Sequence, residues 1–518
     1  MSAEEPAPEA QRGSFGAGLG MGGLSFVATL VVGLVSSIVI ARIYGVRVVG
    51  EFALASAPTL AAWSLSNLRQ GPALVRVLST QPARAPAVTG LFAAVFAVSW
   101  GLTAIVVALL AGASALVFNG PLDRPDLLAP ALVMLAQFLV LVNPSWNLEN
   151  VFSAFRAGRS LFWIRLVEAL VVLGASIVAS LFGEDVWALV LATGFGAAVT
   201  LAQRIWAVRR WMALRTSRAA LRDGFRRVPE ILRFGLKLAP GNLAEGISYD
   251  APIWVLGLSL PAAAVGAYSR AWQTTNRLYA FGYRVNEMLL PTLVERAAAG
   301  ERDAFDRTLL DTMRYAAFAL LLVGAAAGGA SEGIMHIFGP GFEAASDALA
   351  ILLVTPALTV LGWICAQAQY AQDRPWTGTV SSIAGMAAKV TGVIVLTASW
   401  ELTGAAAGFA AGTLLQFGLQ SLDVARHLHG PVRRWLPLRQ VAGILAAYAA
   451  AFAVSRAIDQ ALAEPFGLVA ALVAGSGVFV VVHALAGGVL ERDRARIAEA
   501  RARLARAQPA DQGSPAGG

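Results

Sequence analysis

Apolar runs long enough to cross a bilayer recur along almost the whole chain, and no other feature limits its fold as much. They lie near 20–41, 50–68, 87–111, 127–146, 161–182, 186–207, 236–258, 265–290, 309–330, 348–370, 378–399, 404–424, 439–456 and 466–490. A hydrocarbon core about 30 Å thick is spanned by roughly 20 apolar residues in a helix. In lipid every backbone N–H and C=O must be satisfied within the protein, so isolated runs of this length become helices. The sequence therefore predicts an all-α polytopic membrane protein with about 14 transmembrane helices. Only 14% of residues are charged and 57% are hydrophobic, against roughly 25% charged in soluble domains. Spans 2 and 8 are the least apolar, because they carry Asn67 with Arg69, and Arg270 with Arg277. Glu4, Glu5 and Glu9 precede Arg12, which is wrong for a cleavable signal, so Met21 to Ala41 is expected to stay as the first helix.

Loop charge sets the expected orientation. Arginines follow the even-numbered spans: Arg69, Arg76 and Arg84, then Arg156 and Arg159, then a run from Arg204 to Arg233. Arg296, Arg302 and Arg307, then Arg374, then Arg426 to Arg439 continue the pattern. The alternate loops are acidic or nearly neutral, as in 183–186, 259–266 and 331–347, with Arg42 and Arg47 as the exception. The positive-inside rule then places both termini in the cytoplasm. The tail 491–508 reads as a basic cytoplasmic helix against solvent or lipid headgroups.

An internal repeat is legible. Residues 48–55, "VVGEFALA", align with 264–271, "AVGAYSRA", superposing Val49 on Val265, Gly50 on Gly266, Phe52 on Tyr268 and Ala55 on Ala271. Residues 154–160 align with 369–375 at nearly the same offset, placing Phe155 on Tyr370 and Arg159 on Arg374. Six helices per half is even, so both halves insert the same way round and relate by a pseudo-twofold along the membrane normal. The expected division is a cytoplasmic segment 1–18, a six-helix half 19–207, a basic cytoplasmic linker 208–235, a second six-helix half 236–425, two further helices in 438–490, and a basic tail 491–518.

Two parallel halves around a midplane cavity is a transporter architecture, so charges within spans carry the information. An arginine at mid-bilayer costs about 2.5–3.5 kcal/mol on insertion scales. Arg270, Arg277 and Arg284 are spaced by seven, which puts them on one stripe of a straight helix, and that stripe is expected to face the cavity. Arg277, near mid-span, is the leading candidate for an anionic ligand, while Arg284 is also placed to snorkel to the inner interface. Lys389, one of two lysines in the chain, and Arg69 and Arg165 complete the candidate substrate-binding set. Arg165 and Glu168, three apart, are expected to neutralise each other. Glu245 and Asp250 in span 7 either bind a coupling proton or cation, or pair with span 8 arginines. Cys365 stands alone in an apolar run, and His336, His427, His429 and His483 are scattered, so neither a disulfide nor a metal site is expected.

Several stretches resemble polysaccharide flippases of the multidrug/oligosaccharidyl-lipid/polysaccharide exporter superfamily. Residues 41–55, "ARIYGVRVVGEFALA", are similar to the end of helix one in that family, and "GPALVR" (71–76) to the inner turn after helix two. Residues 249–273 resemble the passage from helix seven to eight, and "LLPTLVE" (289–295) the end of helix eight. The resemblance spreads over roughly 15–425 and rests on the ordered set. It implies flipping of an undecaprenyl-pyrophosphate-linked oligosaccharide from the inner to the outer leaflet, with cavity cations holding the pyrophosphate. O-antigen, exopolysaccharide and other lipid-linked glycans all fit. Expected partners are that lipid, the bilayer, H+ or Na+ and polysaccharide polymerase machinery; no cofactor and no nucleic acid is expected. Asn67 stands where the family often has an acid, and spans 11 and 12 lack acids in their cores, so a sodium site like that of lipid II flippases is not expected. Two rival readings are carried. A cation-coupled drug antiporter of the same superfamily would want an acidic cavity. A membrane glycosyltransferase or O-antigen ligase would want catalytic groups in an outer loop, where the chain offers only Glu51, Glu332 and His336.

Overall fold

The computed structural model describes residues 15–67, 70–155, 157–427, 438–488 and 493, with side chains from residue 31 onward except at 70, 72, 73, 76, 234, 235, 237, 238, 287, 288, 375 and 438. Arg69, Arg156, His429 and the tail apart from Asp493 therefore lie outside the described residues. All regular structure among the described residues is helical. Ten segments are long and apolar enough to cross a membrane, and two of them, Val31–Ser66 and Trp376–His427, each hold two crossings. The first double helix, α1 (Phe15–Ser66), reverses at Gly45 with φ 72° and ψ 169°, a left-handed turn that suits a residue without Cβ. Spans 7 and 8 are the ones too polar for that criterion, and with them the fourteen spans are complete. Span 8 is weak as its sequence predicts, whereas span 2, also predicted to be weak, meets the criterion and span 7 does not.

The remaining elements follow in order. The short α2 (Gln70–Leu78) and the long α3 (Pro86–Asn119) precede span 4, which is built from α4 (Leu128–Gln137), a π-helical turn (Phe138–Val142) and α5 (Asn143–Ala154). Then come α6 (Gly158–Ser180) and α7 (Val186–Val208). The linker is not a loop: α8 (Arg218–Ser259), capped by Ser217, runs from it into span 7 without a break. Its start packs on the start of α3, where a Cβ on Gly90 would meet the carbonyl of Ala220. Span 8 is broken in two, α9 (Ala262–Asn276) and α10 (Tyr279–Ala298). Beyond it lie α11 (Arg302–Gly329), α12 (Ser331–Phe338), α13 (Ser346–Leu352), α14 (Thr355–Ala371) and the second double helix α15 (Pro375–His427), which turns at Trp400 and Glu401. The last two spans, α16 (Leu438–Ala461) and α17 (Phe466–Leu485), lean on α11 through Ala325, Ala447, Ala451 and Phe479.

The repeat is visible at atomic level. A Cβ on Gly50 would lie 1.7 Å from the carbonyl oxygen of Ala262, and one on Gly266 would lie 2.0 Å from that of Val46. Residues 46 and 262, like 50 and 266, are equivalents in the duplication. Each half thus offers the same glycine to the same partner in the other half, which is what a twofold axis through this crossing produces. Small residues let the two backbones touch, the usual way helices associate tightly in lipid. Val49, Val265, Ala55, Ala271 and Tyr268 are buried around the contact. The two arginines that break the charge pattern between spans 1 and 2 both have partners: Arg42 Nε donates to the Ile337 carbonyl, and Arg47 pairs with Glu51.

Candidate substrate path

Below the glycine crossing, α9 and the first crossing of α1 stay in contact, and the two span 8 arginines lie in that seam. Arg270 is 6% exposed. Its Nη1 donates to Ser37 Oγ at 2.8 Å and to Gln273 Oε1 at 2.9 Å, while its Nε is buried with no acceptor. Both partners are neutral, and among the described residues no carboxylate lies within ion-pair distance of it. Arg277 Nη2 donates to the Gly33 carbonyl at 2.8 Å. A Cβ at Gly33 would sit 2.5 Å from Arg277 Nη1, so only glycine lets the guanidinium lie on the backbone there. Gly33 and Ser37 are one helical turn apart, so one face of α1 receives both arginines.

This differs in one respect from the straight stripe expected of residues 270, 277 and 284. The helix breaks between Asn276 and Tyr279, so seven-residue spacing does not carry through to Arg284, which is exposed. Weight therefore shifts from Arg277, which has a carbonyl partner, toward Arg270.

In the second half, Lys389 is 1% exposed. Its Nζ donates to Gln416 Oε1 at 2.8 Å and stands 5.6 Å from the Tyr249 ring centroid and 5.2 Å from that of Phe409. Tyr249 and Phe409 belong to a cluster of rings with Trp272, Tyr279 and Trp363. Glu245 Oε1 accepts from Tyr249 Oη at 3.2 Å and from Trp363 Nε1 at 2.8 Å. Asp250 meets neither arginine of span 8 among its described contacts; Ser64 Oγ, from the other half, donates to its Oδ2 at 3.4 Å.

The first half holds the remaining candidate, with a changed partner. Arg165 pairs with Glu149, not with Glu168 as sequence spacing suggested. Arg204 Nη2 reaches the same carboxylate at 3.0 Å, and its Nη1 donates to the Ser145 carbonyl. Glu149 was missed because span 4 reads as ending near 146, and Arg204, although within span 6, was counted with the basic run that follows it. In the structure α5 continues to Ala154 and α7 to Val208. The spacing of Asn143, Asn147 and Asn150, one face of a helix, was the signal available. Among the described residues no group of three or more His, Cys, Asp or Glu is arranged to hold a metal.

With this geometry in view, the chain can be set beside known proteins. The family model described as "Polysaccharide biosynthesis protein" matches residues 71–326, slightly under half of the chain. No curated protein matches it. Among solved structures, the lipid II flippase MurJ in an inward closed conformation aligns with a TM-score of 0.63 at 11% identity, over 90% of this chain and 98% of that one. The MATE multidrug transporter DinF-BH gives 0.51 at 15% identity, over 82% and 98%. A MOP superfamily transporter from Pyrococcus furiosus gives 0.50 at 16%, over 79% and 93%.

Proposed function

We propose, from a multi-pass membrane chain that has the fold of the MOP superfamily and matches the polysaccharide biosynthesis family, that this protein flips an undecaprenyl-pyrophosphate-linked oligosaccharide from the inner to the outer leaflet of the bacterial cytoplasmic membrane. The observation that carries the reading is Arg270. A buried cation held only by a hydroxyl and an amide, with its Nε unsatisfied, has lost its hydration without gaining a counter-charge. Such a group is retained where an anion visits. Pyrophosphate oxygens match the planar donor fork of a guanidinium, and at low dielectric the attraction far exceeds its value in water.

The mechanism follows from position. Arg270 and Arg277 lie in the seam between the two halves, so rocking of one half against the other parts α9 from α1 and turns both guanidiniums into a cavity. The pyrophosphate then replaces Ser37 and Gln273 on Arg270. Release needs only that these neutral partners return when the halves close. Asp250 and Ser64 also bridge the halves, on α8 and α1. Proton or cation exchange at Asp250, with Glu245 as the second carboxylate of α8, would couple that closure to an ion gradient. A drug-antiporter reading is less well supported, because the two charges buried deepest with neutral partners, Arg270 and Lys389, are cations, while Glu245 and Asp250, which also have neutral partners, are only partly buried.

The test is binding and flipping by the purified full chain in nanodiscs and vesicles. A lost charge-assisted hydrogen bond of about 1.5–3 kcal/mol corresponds to roughly 10- to 100-fold in affinity. Arg270→Ala is expected to weaken undecaprenyl pyrophosphate binding by that factor and to abolish flipping, with Arg270→Lys retaining part of both. Unchanged binding in Arg270→Ala would remove the pyrophosphate from this seam.

A further inference from the structure

The first half contains a second polar space that the seam does not use. It is a cavity of 680 Å³ lined by residues of α1, α5, α6 and α7, at the end of the helices nearest the linker. That volume lies in the ~300–1,000 Å³ range of small-molecule sites. Its polar wall is α5, which begins directly after the π-helical turn Phe138–Val142, a feature often found at functional sites. Asn143, Asn147 and Asn150 line one side of the cavity. Asn143 Nδ2 donates to Thr103 Oγ1 at 2.9 Å, Asn147 Nδ2 to the Asn143 carbonyl at 2.9 Å, and Asn150 Nδ2 to the Asn147 carbonyl at 3.2 Å. Each amide plane is thereby fixed. Gly71 faces Asn150, where a Cβ would meet Oδ1 at 2.7 Å, so a glycine keeps that oxygen uncovered.

Two tryptophans also line the cavity, Trp63 from α1 and Trp146 from α5, the helix that carries the amides. Trp63 and Trp146 meet edge to face with centroids 4.7 Å apart, and both remain partly exposed, at 38% and 43%. The charged residues of the lining are Glu149, Glu168, Arg165 and Arg204, which sum to a formal charge of zero. Glu149 is shared by Arg165 and Arg204, and the buried Arg204 still has an Nε without an acceptor.

Electrostatics separates this space from the seam. A pyrophosphate gains little from a cavity whose cations are already paired with Glu149, and the one further charge of the lining, Glu168, is itself negative. Fixed amides and indole surfaces lining one cavity suit a neutral ligand rich in hydroxyls: amides bond adjacent hydroxyl groups in pairs, and an indole face covers the C–H side of a sugar ring. We propose that this cavity binds the sugar end of the translocated molecule while the seam holds its pyrophosphate. The inference rests on the flippase reading and extends it to a separate glycan site.

Two probes distinguish the two ideas. One is the water-soluble oligosaccharide released by mild acid from the polyprenyl-linked pool of the producing cells. The other is undecaprenyl pyrophosphate bearing no sugar. Both are titrated calorimetrically into the detergent-purified full chain. Asn150→Ala and Trp146→Leu are expected to weaken oligosaccharide binding at least tenfold and to leave undecaprenyl pyrophosphate binding within twofold, which also certifies that the variants are folded. Trp146→Phe, which keeps an aromatic face, is expected to retain most of the oligosaccharide affinity. Arg270→Ala is expected to do the reverse. If wild type binds the bare pyrophosphate but not the oligosaccharide, or if Asn150→Ala and Trp146→Leu both bind the oligosaccharide normally, the glycan site is overturned and the flippase reading stands. If wild type binds neither probe, both fall.

Discussion

The seam between the halves and the cavity within the first half handle buried charge in opposite ways. In the cavity each carboxylate–guanidinium contact closes locally, Arg165 and Arg204 both turning to Glu149. In the seam Arg270 is left with neutral partners and one unsatisfied N–H. The cavity's charges therefore contribute to stability, because removing one partner strands the other. The seam's charge opposes stability, a cost that the proposed function explains by a visiting anion. The difference teaches which arginines to read as function: burial alone does not discriminate, since Arg204 and Arg270 are buried to a similar degree, but the partner does.

Stability and binding should therefore move in opposite directions in the two regions. The largest effect is expected from Glu149→Gln, which strands the buried Arg204. Breaking one side of a buried pair costs about 3–5 kcal/mol, so the melting temperature in detergent should fall sharply while undecaprenyl pyrophosphate affinity, measured on the folded fraction, stays the same. Arg270→Ala should show the mirror image: lost affinity with unchanged or raised melting temperature, since an uncompensated charge is gone. A large loss of stability in Arg270→Ala would erase the contrast. A smaller effect is expected from Asp250→Asn, which keeps the geometry toward Ser64 but removes the exchangeable charge; flipping should slow and lose its dependence on an imposed pH gradient, with binding intact. If the gradient still accelerates the variant as in wild type, Asp250 is not the coupling group. The smallest effect is expected from Arg284→Ala, whose side chain is exposed and off the seam; a change of more than twofold in affinity would restore it to the substrate path.

The spans were legible because lipid allows so few alternatives: length and apolarity predict helices, and the duplicated offset predicts a pseudo-twofold, about which Gly50 and Gly266 make equivalent contacts that the sequence did not foretell. The candidate site was legible only in part, for two physical reasons. Polar residues that line a cavity lower local hydropathy, so the asparagine-rich stretch 143–150 reads as the end of a span when it is helix, and Glu149 was lost with it. Arithmetic on a straight helix also fails where the helix breaks, which is why Arg284 was grouped with Arg270. Pairing of Arg165 with Glu149 across two helices, instead of with Glu168 on its own, is a tertiary fact that i,i+3 spacing along one helix does not reveal.

The glycine crossing has a consequence for the cell's energy economy. A membrane that stores a potential gives each elementary charge about 2.3 kcal/mol per 100 mV, so a path wide enough for a pyrophosphate is also a path for protons and salt. Where backbone lies directly on backbone, as between Gly50 and Ala262 and between Gly266 and Val46, no file of water molecules fits and no side chain has to swing aside. On the proposed flippase reading, the crossing insulates by the absence of atoms, and a methyl added at either glycine is expected to show first as an ion leak and only then as a failure to carry lipid.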